Sequence, residues 1–135
     1  MHAADSEPVD LHEALDGLTF LRDRTPDTTD AEAGDAFGRL ADYRDGAVFV
    51  GHWAGTSEWE RHPVGDEIVM IVDGATTLTM LVDGEERAHK MGAGELIVVP
   101  QGTWHRFDTP VAVKVLTVTP QPTEHTAGQP DAAPA

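Results

Sequence analysis

Side chains able to bind a metal or move a proton are densest between residues 58 and 74, in the segment EWERHPVGDEIVMIVDG. Successive side chains of a strand point to opposite faces, so Glu60 and His62 share one face of the strand that we predict there. The PVGD sequence that follows predicts a turn. Glu67 then begins a second predicted strand. Two ligand-type residues two positions apart can reach one point, which makes a metal site one interpretation of this segment.

A second segment, GELIVVPQGTWHRF at residues 94–107, predicts a strand, a Pro-Gln-Gly turn and a strand that carries His105. If both segments line one barrel, Glu60, His62, Glu67 and His105 can converge. The alternative is structural: the two histidines are hydrogen-bonded core residues, and Glu60 is a surface carboxylate paired with Lys or Arg. Glu67 fits that alternative less well, because burying a lone carboxylate is costly.

The elements that would position these residues are short β-rich runs separated by turn residues. Asp83-Gly84 predicts a tight hairpin, because Gly accepts the positive φ of such a turn. The regular spacing of the runs predicts an all-β barrel. The runs are AVFVGHW, SEWERH, EIVMIVD, TTLTMLV, ERAHKM, ELIVVP, WHRFDT and VAVKVLTVT.

The 135 residues predict one domain with two different ends. Residues 1–36 form an acidic, partly ordered N-terminal extension, in which VDLHEALDGL predicts a short helix and LTFLR a strand. Residues 37–120 form the barrel. Residues 121–135 include TAGQPDAAPA, whose small, polar and Pro-containing composition predicts a flexible, disordered tail.

The charge balance excludes several kinds of partner. Nine Lys and Arg against 24 Asp and Glu give a net charge of −15, which repels phosphate backbones and anionic lipid, so we expect neither nucleic acid nor a membrane as a partner. With no cysteine, any metal must be held by His and carboxylate. The sequence shows neither a secretory signal pattern nor an apolar run near the ~20 residues of a membrane span, so we expect a soluble, cytoplasmic protein.

The two segments resemble the two motifs of the cupin superfamily. Three positions depart from the usual pattern. Glu60 replaces the first histidine, the leading Gly55 is one residue closer to that histidine position than usual, and Thr109 stands where Asn is common. The matching residues are Gly55, Glu60, His62, Glu67 and Gly74 in the first motif, and Gly94, Pro100, Gly102 and His105 in the second.

This resemblance implies a jelly-roll β-barrel that holds one divalent metal ion. It carries ligand roles to His62, Glu67 and His105. We infer from strand geometry that Glu60 is a fourth ligand, or a general base beside the metal if it swings away. Carboxylate oxygens are harder donors than imidazole, which favours Fe, Mn, Ni or Zn over copper.

Four further residues are candidates for contact with a substrate. Phe107 shares a face with His105, and Val69 and Ile71 share the face of Glu67, so all three would wall the cavity. His52, in VFVGHWAG, either reaches the cavity or is an ordinary strand histidine.

These predictions favour a metal-dependent enzyme that acts on a small oxygen-rich molecule. The resemblance allows dioxygenase, isomerase, lyase and cyclase reactions, and a dioxygenase, an oxidoreductase, is the leading hypothesis. A non-catalytic module that binds or senses a small ligand or metal is the alternative, and a structural barrel without metal is a third. Apolar strand faces and exposed sheet edges favour a homodimer in each case.

Overall fold

A computed structural model describes residues 6–130. His2 and the last five residues of the predicted tail lie outside this range. Strands dominate, which confirms the all-β prediction. The elements are α1 (Leu11–Asp16), β1 (Leu21–Arg24), α2 (Asp30–Ala33), a 3₁₀ turn (Gly34–Ala36), β2 (Phe37–Tyr43), β3 (Gly46–Thr56), β4 (Trp59–Arg61), β5 (Glu67–Val82), β6 (Glu85–Gly92), β7 (Leu96–Val99), β8 (His105–Pro120) and β9 (Glu124–Thr126).

Two strands of 16 residues each, β5 and β8, pair antiparallel and form the frame of the barrel. The sequence predicts each of them as two separate runs. In the structure each pair of runs is one bent strand, and the β5–β8 register shifts near Gly74, whose φ is 77°. A Cβ at Gly74 would lie 2.2 Å from the carbonyl oxygen of Ala112, so only glycine allows this approach. The bend lets one strand serve two parts of the barrel.

The remaining strands extend this frame on both sides. Strand β3 lies antiparallel to β8, and β2 pairs with β3. Strands β6 and β7 pair with the two halves of β5. The predicted hairpin is present between β5 and β6, where Asp83 and Gly84 have φ values of 53° and 79°. The buried core lies inside the barrel and is built from Trp53, Val69, Ile71, Leu78, Met91, Val99, Phe107, Val113 and Val115.

The N-terminal extension packs on the barrel. Asp10 caps α1 by accepting a hydrogen bond from the Glu13 N–H, and Leu15 of this helix is buried. Strand β1 runs parallel to β3, with Arg24 opposite Gly55. The predicted helix is therefore present, and the predicted strand begins three residues later than LTFLR suggests. The helices of the described part are all too short and too polar to span a membrane.

The C-terminal segment also contains ordered structure. Strand β9 lies within the stretch for which composition predicts a flexible tail, and it pairs antiparallel with β4. One ion pair and one further side-chain contact hold it there: Arg61 Nε lies 2.6 Å from Glu124 Oε1, and His125 Nδ1 lies 2.6 Å from Glu58 Oε1. Strand β9 pairs with the free backbone edge of β4. This pairing is long-range, and composition does not reveal it.

Candidate metal centre

Three buried side chains converge inside the barrel. His62 follows β4, Glu67 begins β5 and His105 begins β8, and these residues are 3%, 5% and 1% exposed. Their candidate ligand atoms all lie within 4.8 Å of one another. His105 Nε2 is 3.0 Å from Glu67 Oε1, and His62 Nε2 is 3.3 Å from Glu67 Oε2.

The turns that carry these residues are tied together by backbone-directed hydrogen bonds. The Gly102 N–H donates to the carbonyl oxygen of His62 at 3.0 Å. The Gln101 N–H donates to Asp66 Oδ1, and the Gln101 amide donates to the Pro63 carbonyl, both at 2.7 Å. The Pro-Gln-Gly turn before β8 is thus fixed against the PVGD turn before β5, and this brings the two histidines together.

The outer atoms of the three side chains are held by neighbouring groups. His105 Nδ1 lies 3.0 Å from the carbonyl oxygen of Thr103, which can only accept, so this nitrogen carries the proton and the Nε2 of a neutral ring has a free lone pair. His62 Nδ1 lies 3.0 Å from the hydroxyl of Thr123. Thr119 donates to Glu67 Oε2 at 2.7 Å. Such outer contacts orient metal ligands in proteins.

The inner atoms of the same side chains lack hydrogen-bond partners. Four buried side-chain polar atoms in residues 6–130 have no partner of acceptable geometry, and three of them are His62 Nε2, Glu67 Oε1 and His105 Nε2. Their close approaches are therefore contacts without hydrogen-bond alignment. Buried polar atoms without partners are costly, whereas a cation bound between them would satisfy all three. The residues present fit a divalent metal ion.

Glu60 lies beside this cluster and outside it. It faces His105 across the β4–β8 pair. Its Oε1 atom lies 3.6 Å from Nη2 of Arg24, a residue of the N-terminal extension, and the two side chains are 18% and 16% exposed. The structure therefore brings together three of the four predicted ligands and places the fourth in a contact with Arg24.

A cavity of about 310 Å³ opens next to the cluster. Phe107 lines it, as do Glu60 and Glu67. Val69 and Ile71 are fully buried in the core and do not line it. His52 lies on the other face of β3, with its ring centroid 4.7 Å from that of Phe20. Of the four predicted substrate contacts, Phe107 alone reaches this cavity.

Comparison with known proteins places the chain in a family. The model of the cupin domain family matches residues 50–119, which is more than half of the chain. The chain is a cupin. The chain covers 36% of the length of its curated relatives, which include an acireductone dioxygenase from Rhodopseudomonas palustris, 42% identical over 60 residues, or 44% of this chain.

Solved structures share the cupin fold at low sequence identity. A cupin-2 domain protein from Shewanella frigidimarina is 20% identical, with a TM-score of 0.55 over 63% of this chain and 79% of that one. A conserved protein of unknown function from Streptococcus pyogenes is 19% identical, with a TM-score of 0.59 over 90% of both chains. A hydroquinone 1,2-dioxygenase is 16% identical, with a TM-score of 0.56 over 62% of this chain and 63% of that one. These identities support the cupin fold alone.

The electrostatic environment of the cluster favours the ionised form of the Glu67 carboxyl group. Burial by itself would raise the pKa of Glu67, but the adjacent imidazoles of His105 and His62 lower it to about 2. Burial would lower the pKa of His105, but Glu67 overcomes this effect and raises it. The metal-free centre therefore holds an anion that attracts a positive charge, either a proton or a metal ion.

Several residues of the site were not found by sequence reasoning. Thr117 and Thr119 follow Val113 and Val115 on the inward face of β8, and the change from Val to Thr is a signal that could have indicated a polar end of the cavity. Glu58 lies within the first motif but not at one of its matching positions. The other residues come from outside the motifs and give no such signal: Arg24, Thr123 and His125.

Proposed function

We propose that this cupin binds one divalent metal ion through His62, Glu67 and His105 and uses it to act on a small oxygen-rich organic molecule. The observation that carries the proposal is the set of three buried ligand atoms that face one point and lack hydrogen-bond partners. Two imidazoles and one carboxylate suit Fe, Mn, Ni or Zn better than copper. Such an ion, when bound, supplies a Lewis acid that orients an oxygen-rich ligand, or activates dioxygen if it is iron.

The protein's own residues have distinct tasks in this proposal. Thr123 and the Thr103 carbonyl hold the two imidazole rings in orientation, and Thr119 fixes the Glu67 carboxylate. Phe107 provides apolar wall on the cavity side and limits the entry of water. Glu60, with its carboxylate in the cavity, is placed to take a proton from the bound molecule as a general base.

A dioxygenase reaction is the leading form of this proposal. It is supported by the similarity to acireductone dioxygenase over 60 residues and by a donor set of two histidines and one carboxylate, which resembles that of non-haem iron oxygenases. An isomerase, lyase or cyclase reaction would use the same ligands.

The first experiment measures the metal content of untagged protein purified without added metal. We expect about one equivalent of a first-row divalent metal in the wild type. His62→Ala, Glu67→Ala and His105→Ala should lose it. Glu60→Ala should keep it, because Arg24 rather than the cluster holds that carboxylate. His52→Ala is a matched control, since this strand histidine lies on the opposite face. Unchanged metal content in all three ligand variants would contradict the proposed site.

The second experiment separates an enzyme from a binding module. Oxygen uptake by the metal-loaded protein is followed with catechol, diketone, hydroxy-acid and acireductone substrates. Uptake that depends on His62 and His105 supports a dioxygenase. Stoichiometric metal with ligand binding but without turnover of any of these compounds instead supports the non-catalytic binding module.

We also propose that the cupin forms a homodimer through the outer face of β5, β7 and β8. Cross-strand partners on this face form two apolar rows, and Ile68, Leu96 and Val98 are 38%, 60% and 48% exposed. Within residues 6–130, β7 pairs with β5 alone and so has a free edge. A second copy would cover both the rows and the edge. The rows are Val98, Ile68, Val118 and Leu96, Met70, Leu116.

A further inference from the structure

Arg24, at the end of β1, places a guanidinium group in the wall of the cavity. Its guanidinium lies 4.4 Å from the ring centroid of Trp53 and 5.0 Å from that of Phe37. Its side chain is 16% exposed, although arginine is among the residues that are rarely buried without a full set of partners. A buried guanidinium that contacts two aromatic rings is held in a fixed position.

The acidic neighbours of Arg24 do not satisfy it. The nearest carboxylate oxygen, Glu60 Oε1, lies at 3.6 Å, which is beyond hydrogen-bond distance. Glu58 interacts with Arg24 by charge, but its carboxylate pairs with His125 at 2.6 Å. Burial lowers the pKa of Arg24, against the opposing effects of Glu60 and Glu58. The guanidinium therefore has N–H groups with capacity for another acceptor.

Arg24 shares its cavity with one of the proposed metal ligands. Both Arg24 and Glu67 line it, and Glu60 stands between them, since it contacts Arg24 and faces His105 across the β4–β8 pair. Four aromatic side chains line part of the remaining wall, and the volume of about 310 Å³ fits a small organic molecule. A molecule in this space can reach the guanidinium with one end and the metal cluster with the other. The aromatic residues of the wall are Phe37, Phe49, Trp53 and Phe107.

We infer that Arg24 binds a carboxylate of the ligand, so that the substrate class is small organic acids with an apolar or aromatic body. This inference rests on the proposed function in one respect: the bound acid is a substrate because that same site is proposed to act on it. The planar fork of a guanidinium matches a carboxylate with two parallel hydrogen bonds, and a low-polarity cavity strengthens both. Arg24 is then a substrate-binding residue that sets specificity from outside the two cupin motifs.

The test uses metal-free protein, so that it does not depend on the metal proposal. Phenylacetate and phenylacetamide have nearly the same shape and differ in charge, and their affinities are measured by calorimetry or by NMR titration. We expect the wild type to bind phenylacetate about tenfold to a hundredfold more tightly than the amide. Arg24→Met should lose this preference. Equal affinities in the wild type, or a preference kept by Arg24→Met, overturns the inference.

Two further variants separate the contact from general charge and folding effects. Arg106→Met is the matched control, because Arg106 also lies over a ring, that of Trp59 at 5.2 Å, and also faces a carboxylate, Glu86, at 3.6 Å, but does not line the cavity. It should keep the preference. The double variant Arg24→Met with Glu60→Gln removes one charge of each sign and should still lack the preference. Recovery of the preference in the double variant would show that the loss in Arg24→Met came from repulsion by Glu60 and not from a lost contact with Arg24, and would refute the inference.

Discussion

Glu60 and His105 face each other across the β4–β8 pair, yet the carboxylate of Glu60 contacts Arg24 and the imidazole of His105 contacts Glu67. Two residues on the same face of neighbouring strands thus belong to different groups. One group is the buried cluster that can hold a metal, and the other is a cation and carboxylate pair that lines the cavity. The motif position that usually holds the first histidine is therefore connected to the cavity side of the site.

Glu60→Gln should separate proton transfer from metal binding. We expect the variant to keep the metal content of the wild type, because Glu60 lies outside the cluster. If Glu60 is the general base, turnover should fall by about 10²–10⁴-fold, the usual contribution of such a group. The measurements are metal analysis and steady-state kinetics on the same preparation. Loss of metal in Glu60→Gln would instead identify Glu60 as a ligand.

Thr123→Val should weaken metal binding without changing the fold. The Thr123 hydroxyl lies 3.0 Å from His62 Nδ1 and fixes the orientation of that ring. Loss of an outer contact of this kind costs about 10–100-fold in metal affinity. The affinity is measured by competition with a chelator. Thr126→Val, in strand β9 three residues later, is the control and should bind metal like the wild type. Equal affinity of both variants would contradict the assigned role of Thr123.

The stability of the metal-free protein should fall in acid because of Glu67. Its pKa is lowered from 4.5 to about 2 in the folded state, so its contribution is fully present above pH 4.5 and is lost as the pH falls towards 2. A shift of this size corresponds to about 3 kcal/mol. Urea unfolding between pH 5.5 and 3 should show a smaller pH dependence for Glu67→Gln than for the wild type. The exposed Glu85→Gln is the control, and identical slopes for all three proteins would rule out this role of Glu67.

Gly55→Ala should displace strand β1 and with it Arg24. Gly55 has a φ of 113°, and a Cβ there would lie 2.1 Å from the Arg24 carbonyl oxygen. We expect a loss of about 3 kcal/mol in the free energy of unfolding, because backbone must move. Gly84→Ala is the comparison: its φ is 79°, nothing lies near its Cβ, and strain alone should cost about 1–2 kcal/mol. A similar cost for both variants, measured by denaturant unfolding, would contradict this explanation.

Leu96→Glu and Val98→Glu should dissociate the proposed homodimer. Both residues lie on the outer apolar face next to the free edge of β7, where a charge would be buried between two copies. Light scattering after size-exclusion chromatography should give the dimer mass for the wild type and the monomer mass for the variants. Val111→Glu is the control, because Val111 is 82% exposed and lies outside the two rows. A monomeric wild type would reject the proposal.

The sequence predicts the cupin fold well because the local signals of its barrel are short-range. The Asp83-Gly84 hairpin and the β-rich runs are recognised from neighbouring residues, and both are present. The bends that join the predicted runs into β5 and β8 are harder to predict, since they depend on contacts such as that of Gly74 with Ala112. Strand β9 forms through pairing with β4, a partner more than 60 residues away.

In the candidate site, too, some positions follow from local sequence signals and others depend on long-range contacts. The resemblance to the two cupin motifs suggests His62, Glu67 and His105 as neighbours, whereas spacing alone leaves their convergence conditional on one shared barrel. The direction of the Glu60 side chain depends on Arg24, which is 36 positions earlier in the chain and belongs to a strand outside the motifs. Likewise, the position of His52 against Phe20 depends on how the N-terminal extension folds over β3.

The segment that matches the cupin family, residues 50–119, contains all three proposed ligands, whereas Arg24 and Phe37 precede it and Thr123 and His125 follow it. Under the proposals made above, the metal ligands and Arg24 therefore lie in different parts of the chain. Exchange of the N-terminal flank alone between cupins of this type would be expected to change ligand preference while leaving the three ligands and Thr123 in place. The proposed selectivity residue is thereby open to change by recombination at one end of the barrel.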